Sequence, residues 1–281
     1  MVANPRINRT AAGKPVSVGY AERWGMGDRS LVTMATDIGK QIEWLQGIVR
    51  SAERTRQFIE DFTRQNRQLA TFYQNTLRRE LAYRGWFIAG SLYPSQYTRL
   101  AEAIREGWEP EIENFLKAHT KKSIPEIRRS ALSRWPNRQR ILTDAFDAHV
   151  AGKYTLSVPV LLSQADGISA DLLGALLFTN HRGSISGAAA NLIEKRFSAR
   201  PLAKSFLGLL LEASGLRVDT RKRDELIASG QIVSPLNRHG VLHGLDCDYA
   251  TDGNSLRAIA LLGFLEWVAN VKQKGDEESP L

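Results

Sequence analysis

The chain has 281 residues, 43% of them hydrophobic, a formal net charge of +8, five histidines and one cysteine. That length holds one large domain or two small ones, and that apolar fraction is enough for a real core. A lone cysteine excludes an internal disulfide, no apolar run approaches a bilayer span, and the opening MVANPRINRT lacks the apolar centre of a secretory signal. The reading is a cytoplasmic protein without a membrane partner, whose positive balance points to an anionic one, most simply RNA.

Residues 1–30 contain Pro5, Pro15 and scattered basic side chains without a period, which predicts a flexible tail. From Ile38 a helical spacing begins: Ile38, Ile42, Leu45, Val49 and Ala52. After a slip it resumes with Ile59, Phe62, Leu69, Phe72, Tyr73, Leu77 and Leu81. This predicts one long helix, or two in line, ending near Gly85. Its outer face carries Arg50, Arg54, Arg56, Arg64, Arg67, Arg78, Arg79 and Arg84, partly offset by Glu53, Glu60, Asp61 and Glu80. Such a stripe serves as a solvated face, as a track for an RNA backbone, or as one side of a helix paired with another copy. Gly85, Gly90 and Pro94 then punctuate an aromatic link whose Trp86 and Phe87 read as packing residues. Tyr97 to Trp108 predicts the next helix, and Pro110 starts another on which His119 reads as a capping or core histidine.

Lys121, Lys122, Arg128, Arg129, Arg134, Arg138 and Arg140 form a second basic concentration, interrupted by Pro125 and Pro136, each read as a helix start. A domain boundary is placed there, between an N-terminal helical region (31–130) and a C-terminal helical domain (131–275). His149 follows in a helical pattern and is assigned no chemistry. In YTLSVPVLLSQADGI, residues 154–168, Ser157 as cap and Pro159 near the start predict a helix. Asp166 falls inside that apolar run, where an unpaired carboxylate is costly, so it needs a cation; Arg238 is one candidate, and a surface position beside Gly167 is the alternative. HRGSISGAAA, residues 181–190, is a Gly- and Ser-rich turn without the spacing of a phosphate-binding loop. Pro201 opens a helix that Gly215 stops, and a charged segment leads to Gly230. No strand-period segment exceeds a few residues, so the predicted fold class is all-α: a helical bundle with a long N-terminal helical region.

The chemistry concentrates in residues 234–268, SPLNRHGVLHGLDCDYATDGNSLRAIALLGFLEWV. Ser234 and Pro235 signal a helix start and Gly244 a stop. Asp246 to Gly253 reads as a loop, and Asn254 or Ser255 as the cap of a helix apolar on most faces. A polar, histidine-bearing turn is thereby set against the core.

Arg238 and His243, with the polar His239 between them, resemble the Arg-x(4–6)-His motif of the HEPN superfamily. The resemblance continues through NRHxxLHG into NSLxAIxLLxFL and extends weakly to residues 154–168, about half of the chain in all. It implies an all-α domain of RNase or antiviral-defence type, toxins included, with Arg238 on the scissile phosphate and His243 as acid and base. Asn237, His239 and Asp166 would support them. It also implies a site completed across a homodimer, with no metal and no cofactor. The chemistry is sensible: histidine titrates near neutrality, and arginine offers a fork of donors to a phosphate. Five residues along a regular helix would put Arg238 and His243 about 140° apart, so the turn must be irregular or the cleft shared between chains.

Two other readings stand beside the ribonuclease. A non-catalytic helical scaffold would use the same fold for RNA attachment or oligomerisation. A metal hydrolase would use His239 and His243, four apart on one face, with Asp246 or Asp248, although Gly240 stands where a metalloprotease has glutamate. The chain shows no sensor motif, so control of any activity would come from a regulatory protein partner or from the N-terminal helices.

Overall fold

The computed structural model describes residues 28–174, 176–177, 190–191, 201–212, 214–217, 220–230, 234 and 236–277. Among these residues every regular element is helical. Residues 1–27 of the expected tail, and residues 181–189 of the expected glycine-rich turn with His181 and Arg182, lie outside them.

The apolar spacing from Ile38 gives α1, Asp28–Phe72, followed by a π turn, Tyr73–Leu77, and α2, Arg78–Tyr83. Gly85, at φ 73°, ends the run. The π turn seats Tyr73 in the core, where its hydroxyl donates to the Ile88 carbonyl at 3.0 Å and its ring meets Tyr97 and Phe206 edge-on. After the link come α3, Pro94–Arg105, and α4, Glu109–Arg134. A 3-10 turn, Pro136–Arg138, leads into α5, Gln139–Val150, and then α6, Tyr154–Leu173. The remaining helices are α7, Pro201–Leu207, α8, Thr220–Ala228, the short α9, Arg238–Leu242, and α10, Asp252–Glu277.

The chain divides into two units, Met1–Phe62 and Thr63–Leu281. In the first, the described residues belong to α1, whose large apolar side chains from Ile38 to Phe62 are exposed. The second is built on α10, which packs against α6 and α4, while α5 packs against α6. α10 is apolar on most faces because its middle is surrounded: Leu256, Ile259, Leu261, Leu262, Leu265 and Val268 are buried. Each such side chain removed from water contributes about 1.5–3 kcal/mol.

Three expectations are corrected here. Pro125 does not start a helix; it lies inside α4, whose burial against α10 outweighs the one hydrogen bond a proline removes. The boundary expected at 130/131 falls inside α4, whereas the chain divides into its two compact units at Phe62/Thr63, within α1. Ser157 is not a cap either, since α6 begins at Tyr154 and encloses both Ser157 and Pro159. Proline has no N–H to donate to the Thr155 carbonyl one turn earlier, and the Tyr249 hydroxyl donates to that oxygen at 3.1 Å.

Many of the basic residues are structural. Arg257 is buried, forks onto Glu113 at 2.9 and 2.8 Å, donates to the Arg84 carbonyl and lies over the Trp86 ring. Burial pushes its pKa down, and Glu113 opposes this. Arg84 binds both Glu80 and Glu109. In the second basic concentration, Lys121, Arg128, Arg129, Arg134 and Arg138 each hold a carboxylate of the same chain: Asp252, Asp147, Glu126, Glu266 and Asp171. Among the described residues no helix is long and apolar enough to cross a membrane.

Candidate functional site

Asn237 organises the histidine-bearing turn. It is fully buried and caps α9, its Oδ1 accepting from the Gly240 N–H at 2.7 Å. Its Nδ2 donates to the Gly215 carbonyl at 2.9 Å, which ties the start of α9 to the 3-10 turn Gly215–Arg217. The helix therefore starts at Arg238, and Ser234 is not its cap. Ser234 is buried for a different reason: its N–H donates to the Tyr83 carbonyl at 3.2 Å, and it fills the space where a Cβ on Gly85 would stand.

The far end of α9 closes as the sequence predicts. His243 takes the C-cap position, and Gly244 follows at φ 69°, a left-handed conformation that favours glycine. The N–H groups of Leu245 and Asp246 both donate to the Gly240 carbonyl, at 2.8 and 3.0 Å. Asp246 is buried and accepts from the Asp248 N–H through Oδ1 at 3.1 Å. It thus stabilises the loop. Thr251, not Asn254 or Ser255, caps α10, accepting from the Asn254 N–H at 3.1 Å.

The predicted site residues gather at the two ends of α9. At its first residue, Arg238 Nη2 donates to Asp166 Oδ2 at 2.6 Å. Asp166 is buried on α6, and its Oδ1 accepts from the Leu177 N–H at 2.9 Å. The carboxylate inside an apolar helix thus has its cation and a backbone donor besides, and the alternative surface position does not apply. The rings of His239, the second residue of α9, and of His243, its C-cap, stand 4.3 Å apart, tilted by 55°, both exposed. His239 and His243 do share a face. Among the described residues, however, no group of three or more His, Cys, Asp or Glu side chains is gathered as a metal site. Cys247 is exposed in the adjoining loop.

The sequence reading missed a second polar cluster, behind the loop. His149 Nδ1 lies 2.8 Å from Ser255 Oγ, which lies 2.8 Å from Ser157 Oγ, and all three residues are buried. Burial lowers the His149 pKa, Asp252 raises it and Lys121 lowers it. The cluster joins α5, α6 and the first turn of α10. Tyr249 was missed too, although Pro159 signals a helix carbonyl in need of a donor. Elsewhere, a cavity of about 250 Å³ opens between the Phe87–Ser91 link, α4 and α10, with His119 in its wall. His119 is in the middle of α4, 2.9 Å from Ser91 Oγ, and burial and then Lys122 lower its pKa. None of Arg238, His239 and His243 lines that cavity.

No family model, curated protein or solved structure matches the chain.

Proposed function

We propose that this chain is a metal-independent endoribonuclease of HEPN-like type, working as a homodimer in defence or toxin biology. The observation that carries the reading is the anchoring of Arg238 by the buried Asp166 at one end of a five-residue helix whose other end presents an exposed histidine. Asp166 and the capping Asn237 restrict Arg238 and the helix that bears it, which suits a group meant to meet a phosphate in one geometry. Arg238 binds the scissile phosphate and the charge that develops on it. His243 takes the proton from the ribose 2′-hydroxyl as that oxygen attacks phosphorus, and an imidazolium returns a proton to the departing 5′-oxygen. His239 flanks His243 as a supporting residue.

The test is incubation of the purified full chain with a mixed cellular RNA pool in excess chelator, beside Arg238→Ala and His243→Ala. The expected result is cleavage by the wild type, reduced at least about 100-fold by either substitution, with RNA affinity retained in His243→Ala. Cleavage that survives His243→Ala, or disappears with chelator alone, overturns the mechanism. The second reading, a non-catalytic helical scaffold in the same cellular setting, draws on the basic residues of 121–140 already held by carboxylates. It predicts no cleavage by the wild type.

A further inference from the structure

The first unit presents a face that no described residue of that unit covers. Between Ile38 and Phe62, nine large apolar side chains are 46–69% exposed on one helix. Ile38, Ile42, Leu45, Val49, Ala52 and Ile59 form a seam whose steps alternate four and three residues, with Arg56 at the one intervening polar position. That 3.5-residue repeat is the spacing of helices that supercoil on one another, and a single polar residue in the seam is the usual means of setting register. Trp44, Ile48, Phe58 and Phe62 widen the face on one side. A helix so exposed is stabilised by whatever removes that surface from water.

Charge selects the occupant. Within residues 38–62, Lys40, Arg50, Arg54 and Arg56 are matched by Glu43, Glu53, Glu60 and Asp61, so the segment is neutral in a chain of net +8. Arg56 Nε already donates to Glu60 at 2.9 Å. A neutral segment has no field to hold a nucleic acid or an anionic bilayer, and bringing two copies together accumulates no like charge. Covering this face on two copies removes roughly 1,500–2,000 Å² from water, the size of a stable interface.

We propose that residues 38–62 of α1 pair with the same segment of a second copy of this chain as a coiled coil. This goes beyond the homodimer of the ribonuclease reading, because it assigns the contact to α1 and does not depend on the residues at α9.

The experiment is light scattering after size exclusion, with the full chain at several concentrations, beside Leu45→Glu/Ile59→Glu and the opposite-face control Arg54→Gln. The expected result is a wild-type and control mass at least twice the 31.4 kDa of one chain, falling to 31.4 kDa in the double variant. Near-ultraviolet circular dichroism of the buried aromatic core, Trp86 and Tyr73 included, is expected unchanged, which shows that the second unit stays folded. A monomeric wild type overturns the proposal, as does a double variant that keeps the wild-type mass. A monomeric wild type that sediments with phosphatidylserine vesicles also overturns it and assigns the face to a membrane surface. Failure to cleave RNA sinks only the catalytic reading, since the mass measurement is independent of it.

Discussion

Asn237 shows how much a single side chain settles at the candidate site. Two of its hydrogen bonds, to the Gly240 N–H and the Gly215 carbonyl, lie in the interior. Asn237→Ala removes a cap and leaves the Gly215 carbonyl without that donor, for an expected loss of about 2 kcal/mol in urea unfolding at neutral pH. A midpoint within error of wild type would show that α9 is held by other contacts. The residue types of this turn were legible in the sequence. So was the need of Asp166 for a cation, because a carboxylate in an apolar run must be paired, and Arg238 meets it at 2.6 Å. The Gly215 contact was not legible, since it joins segments 22 residues apart through a backbone carbonyl that any residue would provide.

At the scale of elements, proline and serine misled where packing opposed them. Pro125 and Pro159 lie inside α4 and α6, and Ser157 and Ser234 are buried against neighbours instead of capping helices. A cap contributes about 1 kcal/mol, whereas a helix face packed on α10 buries several side chains of about 1.5–3 kcal/mol each. Where no such opposition exists, the same signal works: Pro110 lies in the first turn of α4, and Pro201 begins α7. α6 meets the cost of its internal proline with a donor from outside, the Tyr249 hydroxyl on the Thr155 carbonyl. Tyr249→Phe is expected to lower stability by about 1 kcal/mol in thermal melts, a modest figure because water reaches the exposed Thr155. A wild-type melting temperature in that variant would show that the hydroxyl adds nothing to the helix.

For the molecule as a whole, the buried His149 and the half-buried His119 predict the response to acid. His149 and His119 both have pKa values lowered, chiefly by burial. As pH falls below about 6.5, the unfolded chain takes up protons that the folded chain refuses. The stability carried by the neutral imidazoles is therefore complete above that pH and is lost progressively toward the folded pKa values. Melting temperature is expected to drop between pH 7 and pH 5. His149→Gln should flatten that drop, since burial is the chief cause of its lowered pKa. An unchanged slope would exclude His149 as a source of the acid sensitivity.

Taken alone, the sequence determined the helical class, the long N-terminal helix, the buried character of α10 and the residue types of the candidate turn. Each of these is written in local periodicity or in the chemistry of one side chain. Tertiary structure alone decided that α4 runs on through Pro125, where α6 and α9 begin, that many arginines brace the fold from within, and that His149, Ser157 and Ser255 meet in the interior. Those outcomes depend on partners far apart in the chain, and a contact across 98 or 106 residues leaves no period to read.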